Sequence, residues 1–421
     1  MQKWLSVIGM GEEGLTGLSS IAQTLLQQAT LIVGGRRHLA WLSDHPQLSQ
    51  QPQLAWGSPI ETTLEQIIGY RGQPVAVLAS GDPLCYGIGA TLLRQIPIDE
   101  ITFLPVPSAF SLACARLGWN QTEIETLSLC GRDPNLLHQM LYPGAQLLIL
   151  SADRQTPLIV ADKLIQAGYG HSRLTILEHL GGVKECQHSR TAHEWQTLGQ
   201  SSARSTHLGD GIKIADLNTI AITCVADFDQ PAWARIPGLP DAAFHHDGQL
   251  TKREVRAITL SRLAPLPGQL LWDVGAGCGS IGIEWLRSHP RCRAIAIEQH
   301  PSRLHYIAEN AAALGVPHLQ IIAGSAPDAL APLPHPDAIF IGGGLTADRL
   351  LETCWQALKP GGRLVTNAVT IESEQLLFTA HHQWGGELSR IAIQRAEPIG
   401  QFLGWKALAP ITQWQVIKPR K

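Results

Sequence analysis

The sequence predicts an α/β protein of two domains, each built on a sheet that helices cover. Short apolar runs alternate with helical patterns on both sides of a proline-rich stretch, and such alternation is typical of parallel sheets in α/β domains. The length of 421 residues corresponds to about two or three domains of ordinary size. In each half a glycine-rich turn follows an apolar run, which places a candidate ligand site at the carboxyl end of a strand.

Apolar runs of strand length mark the predicted sheet of each half. In the first half they are Leu5–Ile8, Leu31–Val33, Val75–Ala79, Gln146–Leu150, Leu174–Leu177 and Ile220–Val225. In the second half they are Leu271–Val274, Ala294–Ile297, Leu319–Ile322, Ala338–Ile341 and Arg363–Thr366. Between the halves, Asp227–Asp247 is rich in proline and turn residues. We therefore expect domains over 1–228 and 248–421, joined by a linker over 229–247.

The composition excludes a general attraction to nucleic acid or to an anionic membrane. Lys and Arg number 32 against 35 Asp and Glu, a formal net charge of −3, so an acidic ligand must be met by local basic residues. No apolar run approaches the roughly 18 residues of a transmembrane helix. The eight cysteines are scattered without a CxxC pair, which argues against zinc and against disulfides. Without a signal-peptide pattern at the N-terminus, we expect a cytoplasmic protein with no metal.

The strongest ligand signal lies in the second half. There the strand Leu271–Val274 runs into the turn Gly-Ala-Gly-Cys-Gly at 275–279 and then a helix over about Ile281–Arg287. Glycines let the backbone approach a ligand, and a helix N-terminus offers free N–H groups. The next strand ends in Glu298, where a carboxylate can accept both hydroxyls of a ribose. Because GxGxG differs from the dinucleotide fingerprint, the pattern favours one nucleoside, such as S-adenosylmethionine.

Three further segments surround this turn. Gly324–Asp328 follows the third strand and offers backbone contacts to an adenine, with a simple turn as the alternative. Gly342–Gly344 follows the fourth strand and leaves room for a bulky substrate. Upstream, Thr251 and Glu254 have the spacing of a capping box at the start of an amphipathic helix. For this segment, purely structural capping is the alternative to a role in the ligand site.

Together with Leu358–Arg363, these segments resemble the decarboxylating precorrin methyltransferase domain of cobalamin biosynthesis over about Gly248–Lys421. The resemblance implies a Rossmann-like class I S-adenosylmethionine-dependent methyltransferase domain. It also implies cofactor contacts from Thr251, Gly275, Ala276, Gly277, Cys278, Gly279, Glu298 and Ala326.

The first half contains a dinucleotide-type motif and a second resemblance. Gly9–Gly14 matches GxGxxG, but the following strand leads into Gly34–Arg37 without an acid for a ribose. An NADP-dependent oxidoreductase, with the paired arginines on a 2′-phosphate, stays open as an alternative. The segments Val7–Gly11, Ala79–Pro83 and Pro105–Phe110 instead resemble the tetrapyrrole methylase fold, over about Lys3 to Asp227.

That resemblance implies two α/β lobes, over about 1–118 and 122–228, with S-adenosylmethionine folded in the cleft between them. Gly34–Leu39, Ser80–Pro83 and Leu129–Arg132 most resemble the precorrin-6Y methylase branch. The implied cofactor residues are Gly9, Gly81, Asp82, Ser108 and Ala109. Capping of the following helix is the alternative role for Asp82.

The pairing of the two domains resembles the precorrin-6Y C5,15-methyltransferase (decarboxylating) family. It implies a bifunctional corrinoid methyltransferase with one S-adenosylmethionine per domain. In that family precorrin-6B is methylated at C5 and C15 and loses carbon dioxide from its C12 acetate side chain, giving precorrin-8X. The N-terminal domain is linked to C5, and the C-terminal domain to C15 and decarboxylation. A cobalt-containing substrate and a noncatalytic S-adenosylmethionine sensor stay open as alternatives, and no catalytic residue is assigned.

The expected partner is a small-molecule corrinoid, and we expect a homo-oligomer, either a dimer or a tetramer. Arginine binds carboxylates bidentately, so basic residues beside the predicted clefts are substrate candidates, with a solvated surface charge as the alternative for each. They are Arg36, Arg37, Arg132, Lys184 and Lys213 in the first domain and Lys252, Arg253 and Arg256 in the second. Trp405 is predicted to lie in a late antiparallel strand that closes the second sheet.

Overall fold

The computed structural model describes residues 3–201, 213–228 and 233–420. The chain divides into two compact units, one of Met1–Pro134 with Tyr142–Gln230 and one of Asn135–Leu141 with Pro231–Lys421. Residues 229–232 of the predicted linker lie outside the described residues.

The first unit contains ten strands and seven α-helices in its described part. The strands are β1 (Leu5–Met10), β2 (Leu31–Gly34), β3 (Gln53–Ala55), β4 (Val75–Ser80), β5 (Ile101–Leu104), β6 (Glu125–Ser128), β7 (Gln146–Leu150), β8 (Arg173–Glu178), β9 (Cys186–Thr191) and β10 (Asn218–Thr223). The helices are α1 (Ser20–Gln28), α2 (Arg36–Ala40), α3 (Ile60–Gly69), α4 (Gly89–Leu92), α5 (Ala109–Leu117), α6 (Thr156–Gln166) and α7 (Ala192–Ser201).

The second unit follows the same alternation until its last strands. Its strands are β11 (Leu270–Val274), β12 (Arg293–Glu298), β13 (Gln320–Ala323), β14 (Ala338–Ile341), β15 (Arg363–Ala368), β16 (Glu387–Ile391), β17 (Gln394–Ile399), β18 (Phe402–Ala407) and β19 (Ile411–Ile417). Its helices are α8 (Arg253–Leu263), α9 (Ser280–Ser288), α10 (Pro301–Ala313), α11 (Leu350–Ala357) and α12 (Ile371–Trp384).

The first sheet of the first unit is parallel throughout, with the order β3-β2-β4-β1-β5. Its central strands β1 and β4 are almost entirely buried, because helices cover both faces. Apolar side chains from alternate positions of β1 enter different cores: Leu5 and Val7 pack in one, Ile8 and Met10 in the other.

The second sheet of this unit has the order β6-β7-β10-β8-β9 and is mostly antiparallel. Only β6 and β7 pair in parallel, whereas β10 runs antiparallel to both β7 and β8. The expectation of parallel sheets is therefore wrong here. The physical reason is connection length: residues 179–185 between β8 and β9 are too few for a parallel crossover, which needs about a dozen.

Helix α5 belongs by packing to the second sheet. Phe110, Ala113 and Cys114 form a core cluster with Leu148 on β7 and Ala221 on β10. The change from one sheet to the other thus falls between β5 and α5, ahead of the predicted lobe boundary near 118–122. The β5–α5 connection spans residues 105–108 and so crosses between the two sheets of the unit.

In the second unit a seven-stranded sheet has the order β13-β12-β11-β14-β15-β19-β16. The first five strands are parallel, and β19 is antiparallel to β15 and β16. Trp405 lies in a late antiparallel strand, β18, but β18 pairs with β17 in a separate two-stranded sheet. The last strand of the chain, β19, lies between β15 and β16 in the main sheet, and its Trp414 is fully buried.

Among residues 3–201, 213–228 and 233–420, no helix combines the length and the apolar character that crossing a bilayer requires.

Candidate active site

A cavity of about 600 Å³ opens in the second unit at the carboxyl ends of β11, β12 and β14. Strand β11 is the point where the strand order reverses, because β12 lies on one side of it and β14 on the other. Ligands of open α/β sheets bind outside such a point. The volume is also typical of small-molecule sites.

The glycine turn 275–279 forms one wall of this cavity. Gly275 and Gly277 have φ values of 67° and 60°, in the left-handed region that favours glycine. A Cβ atom on Gly275 would lie 2.8 Å from the backbone nitrogen of Gly343. Two backbone segments therefore meet here without side chains between them, and the turn presents peptide groups to a ligand.

Glu298 holds the turn and the next loop together. Its carboxylate is buried at the end of β12. Oε2 accepts a hydrogen bond of 2.9 Å from the Gly277 N–H, and Oε1 accepts bonds of 2.9 and 3.0 Å from the N–H groups of Gln299 and His300. A carboxylate has about four acceptor positions, so Glu298 keeps acceptor capacity for a ligand while its position is fixed.

Asp273 connects the end of β11 to the start of α9. Its Oδ2 accepts a hydrogen bond of 2.8 Å from the Gly282 N–H, and its Oδ1 is buried without a partner. Burial, followed by the nearby charge of Glu298, raises the pKa of Asp273 to about 7. The sequence pattern assigned no role to this residue, which braces both ends of the glycine turn.

The structure brings most of the predicted C-terminal cofactor residues to the cavity wall: Thr251, Gly275, Ala276, Gly277, Glu298 and Ala326. Cys278 and Gly279 do not line it. The Cys278 side chain is buried in the hydrophobic core, and Gly279 lies at the N-cap of α9, where a Cβ would contact Ile307. The turn therefore has an inner side on the cavity and an outer side in the core, and a cofactor contact from Cys278 or Gly279 stays a prediction.

The capping box predicted at the start of α8 is also wrong. The helix begins at Arg253, and its N-cap residue, Lys252, makes no capping bond through its side chain. Glu254 instead accepts a hydrogen bond of 2.6 Å from Arg395 on β17. This leaves Thr251 and Lys252 on the cavity wall.

Arg256 is a structural residue and not a candidate for substrate binding. Its side chain is 0% exposed. Its Nε donates to Glu284 at 2.6 Å, and its terminal nitrogens donate to Asp241 and to the carbonyl oxygens of Thr251 and Leu239. These internal bonds engage every guanidinium nitrogen, so the prediction of a substrate role is wrong.

Of the other C-terminal basic candidates, Lys252 lines the cavity and Arg253 is exposed outside its wall. Sequence reasoning missed Arg303, which lies on α10 and lines the cavity. Its Nε donates to Asp247 at 2.8 Å. Its position four residues after Gln299 on the following helix gave no recognisable signal.

A second cavity, of about 470 Å³, lies in the first unit between its two sheets. Residues from the ends of β1 and β4 line one side, and residues from α5 and the end of β8 line the other. The predicted residues Gly81, Asp82, Ser108 and Ala109 are all on its wall. Ser108 also caps α5 by accepting a bond from the Ser111 N–H, and Asp82 accepts one from the Leu84 N–H at 2.8 Å. The bond of Asp82 closes a local turn and is not a helix cap.

Gly9 is buried behind this wall. A Cβ there would collide with the carbonyl oxygen of Gly81, so Gly9 permits close packing of two loops and does not itself line the cavity.

The NADP alternative disagrees with the local structure of the motif Gly9–Gly14. A dinucleotide motif opens directly into a helix whose N-terminus faces the pyrophosphate. Here Gly14–Gly17 forms a 3-10 turn, and α1 begins only at Ser20. In addition, β1 pairs with β4 and β5 and not with β2.

Ionisable side chains that follow strands of both sheets meet in this cavity at Glu12. Its Oε1 accepts a bond of 3.0 Å from Arg37, and its Oε2 lies 2.9 Å from the Nδ1 atom of His179. Arg37 also donates to Ser80 at 3.1 Å. Burial, followed by the charge of Arg37, lowers the pKa of the neighbouring His38 to about 4. Glu12 and His179 were not predicted, and only Arg37 was.

The remaining N-terminal basic candidates lie outside the cavity wall. Arg36, Lys184 and Lys213 are exposed. Arg132 is exposed too, and its guanidinium carbon lies 5.1 Å from the ring centre of Tyr86, which lines the cavity.

Two family models match the chain in succession. Tetrapyrrole (corrin/porphyrin) methylases match residues 5–191, and the precorrin methyltransferase domain matches residues 242–418. The precorrin-6Y C(5,15)-methyltransferase [decarboxylating] of a Sinorhizobium species is 46% identical over 415 residues, which cover 99% of this chain and 96% of that protein.

Two shorter relatives each cover less than half of the chain. The cobalt-precorrin-7 C(5)-methyltransferase of Salmonella typhimurium is 30% identical over 184 residues, 44% of this chain and 89% of that protein. A probable cobalt-precorrin-6B C(15)-methyltransferase (decarboxylating) of Pyrobaculum calidifontis is 32% identical over 182 residues, 42% of this chain and 93% of that protein.

Substitution of Arg256 should destabilise the second unit without touching its cavity chemistry. Arg256→Ala leaves the buried Glu284 without its cation, and breaking a buried pair costs about 3–5 kcal/mol. Chemical denaturation measures this loss. Arg253→Ala, one turn earlier on α8 and exposed, is the matched control and should change stability by less than about 0.5 kcal/mol. Equal effects of the two substitutions would contradict the assignment of Arg256.

Asp273 should make the stability of the second unit fall as pH rises. Its folded pKa of about 7 lies above the ordinary value, so the stabilising protonated form is fully present below about pH 4 and is lost as pH rises to 7. We expect wild type to lose about 4 kcal/mol relative to Asp273→Asn between pH 4 and 8, at about 1.4 kcal/mol per pKa unit. Unfolding measured across this range tests it, and parallel curves for the two proteins would refute it.

Proposed function

This chain belongs to the family of precorrin-6Y C(5,15)-methyltransferases (decarboxylating), and from this premise we propose that each of its two domains performs one of the two methylations with its own S-adenosylmethionine. The protein is an S-adenosylmethionine-dependent methyltransferase of cobalamin biosynthesis that acts on a corrinoid. Domain 1–228 transfers the methyl group to C5. Domain 248–421 transfers the methyl group to C15 and removes carbon dioxide from the C12 acetate side chain.

The observation that carries this division is the presence of two separate cavities, each at the carboxyl ends of parallel strands and each in the part of the chain that one family model matches. The two single-reaction relatives support it, since each covers less than half of this chain and they are named for C5 and for C15 with decarboxylation. A chain with one site for C5 and another for C15 would account for the name of the full-length relative, which gives both positions.

The C-terminal cavity fits a nucleoside. The glycine turn 275–279 lets the ligand approach peptide groups, and Glu298 is held in place to accept ribose hydroxyls. Ala326 and its neighbours after β13 offer backbone contacts to an adenine. Bound S-adenosylmethionine supplies an activated sulfonium methyl group.

Apolar residues and two cations complete the site for the corrinoid. Ile391, Ile393 and Leu408 line the cavity and exclude water from the reacting carbon. Lys252 and Arg303 lie on the same wall and bind substrate carboxylates. The ring carbon is itself the nucleophile, so the protein contributes mainly alignment at near-attack distance, and the conjugated ring accepts the electrons that decarboxylation releases.

The N-terminal cleft holds its S-adenosylmethionine between Gly81–Asp82 and Ser108–Ala109. Arg37 is the cation on its wall and the candidate for a substrate carboxylate. Glu12 orients Arg37 on one side and His179 on the other.

The natural substrate is the metal-free precorrin, precorrin-6B, and the final product is precorrin-8X. The relative that matches over the whole chain carries no cobalt in its name, whereas the two half-length relatives do. Their numbering also suggests the order of reactions, because C15 methylation is named on compound 6B and C5 methylation on compound 7. The protein is expected to be cytoplasmic and to form a dimer or tetramer.

Two variants separate the two reactions when each is incubated with metal-free precorrin-6B and S-adenosylmethionine. Glu298→Gln removes a charged acceptor for the ribose, worth about 1.5–3 kcal/mol, and should slow carbon dioxide release about 10–100-fold. Ala109→Phe fills the N-terminal cleft and should release carbon dioxide normally while a product with one added methyl group accumulates. Product masses and initial rates are the measurements.

Mixing the two variants provides the control, since each supplies the site that the other lacks. The mixture should form the product with two added methyl groups and one lost carbon dioxide. Loss of decarboxylation in Ala109→Phe, with Glu298→Gln unaffected, would reverse the domain assignment. Turnover of the cobalt form alone would refute the metal-free substrate.

A further inference from the structure

Glu178, Cys186 and His188 bring three metal-ligand groups together at the edge of the second sheet in the first unit. Glu178 ends β8 and Cys186 begins β9, and the antiparallel register sets them directly opposite each other. His188 lies two residues after Cys186 and so projects from the same face of β9. The ligand atoms of the three side chains lie within 4.8 Å of one another.

Two of the separations between these atoms are close to those around a tetrahedral ion, and the third, between Glu178 and His188, is at most 4.8 Å. The Sγ atom of Cys186 lies 3.5 Å from Oε2 of Glu178 and 3.9 Å from Nε2 of His188. With a zinc–sulfur bond of about 2.3 Å and zinc–nitrogen or zinc–oxygen bonds of about 2.0 Å, tetrahedral angles separate the ligand atoms by roughly 3.3–3.6 Å. Small side-chain rotations therefore bring all three atoms to coordination distance.

A buried oxygen atom in this cluster lacks a partner. Glu178 is 4% exposed, and its Oε1 atom is buried with no hydrogen-bond partner. The neighbouring Oε2 accepts a bond from the Cys186 thiol, which is a weak donor. A buried polar atom without a partner is costly, and a cation held by both oxygens of the carboxylate would supply that partner.

We propose that Glu178, Cys186 and His188 form a structural site for a divalent cation of the zinc type, with water as the fourth ligand. A thiolate and an imidazole together favour zinc over the hard cations magnesium and calcium. On binding, the S–H bond of Cys186 breaks, its proton passes to solvent, and the sulfur electron pair forms the bond to the metal. The thiolate and the carboxylate balance the charge of the ion, so this partly buried site stays neutral.

The site fixes the base of a turn that reaches the N-terminal cavity. Glu178 and Cys186 flank residues 179–185, and the first of these, His179, contacts Glu12 and lines the cavity. His179 has a φ of 48°, a conformation that costs energy for a residue other than glycine. A metal bridge between the two ends of the turn stabilises this conformation and the position of the imidazole.

Zinc titration of the intact, untagged protein against a chromophoric chelator tests the site. We expect one tightly bound equivalent per chain and release of about one proton, measured as the buffer dependence of the binding enthalpy. Cobalt(II) as a probe should give a near-ultraviolet charge-transfer band from the thiolate. Cys186→Ser and His188→Gln should each weaken zinc binding by more than about 100-fold, because loss of even an outer-shell partner costs 10–100-fold.

Cys130→Ser is the matched control. Cys130 is the other exposed cysteine in the described part of the chain, and its substitution should leave zinc binding unchanged. Circular dichroism of Cys186→Ser, a nearly isosteric change at an exposed position, shows whether the fold is kept. No tight zinc binding by wild type, or zinc binding of unchanged strength in folded Cys186→Ser, would overturn the proposal.

Discussion

Three backbone N–H groups converge on one buried carboxylate, that of Glu298, and the C-terminal cavity depends on this arrangement. The glycine turn can present its peptide groups only if it keeps φ values that other residues avoid, and the bond from the Gly277 N–H holds it there. The bonds to Gln299 and His300 fix the loop that starts α10. Asp273 fixes the helix that follows the same turn by accepting a bond from the Gly282 N–H. Two buried carboxylates, Glu298 and Asp273, therefore hold one loop.

The shape of the N-terminal cleft depends on a different interaction, because its two walls come from two sheets. Glu12 follows β1 in the first sheet, and His179 follows β8 in the second, and their contact joins the walls at the cleft. Helix α5 also connects the two walls. It packs on the second sheet, while the loop before it passes close to Gly81, which follows β4 of the first sheet. A cleft between sheets can thus keep a defined shape without a single continuous core.

The parallel strands and their ligand turns could be predicted from the sequence, because continuous apolar runs and glycine spacing are local signals. The antiparallel direction of strands in the second sheet of the first unit could not, because an apolar run marks a strand but not its direction. The exposed strands β9, β17 and β18 could not be located from such runs either. Arg256 shows a second limit. Its position in the motif resembles that of a ligand-binding residue, and only the fold places Glu284 beside it. Likewise, Glu178 and His188 lie beside Cys186 because of the register between β8 and β9. The spacing of cysteines along the sequence does not show this pairing.

Equilibrium binding of S-adenosylhomocysteine to the intact chain, measured by calorimetry, tests the central claim of two nucleoside sites most directly. We expect two equivalents per chain, one of which binds about 10–100-fold more weakly in Glu298→Gln, while the other disappears in Ala109→Phe. A single equivalent in wild type, or one equivalent that both substitutions abolish, would contradict it.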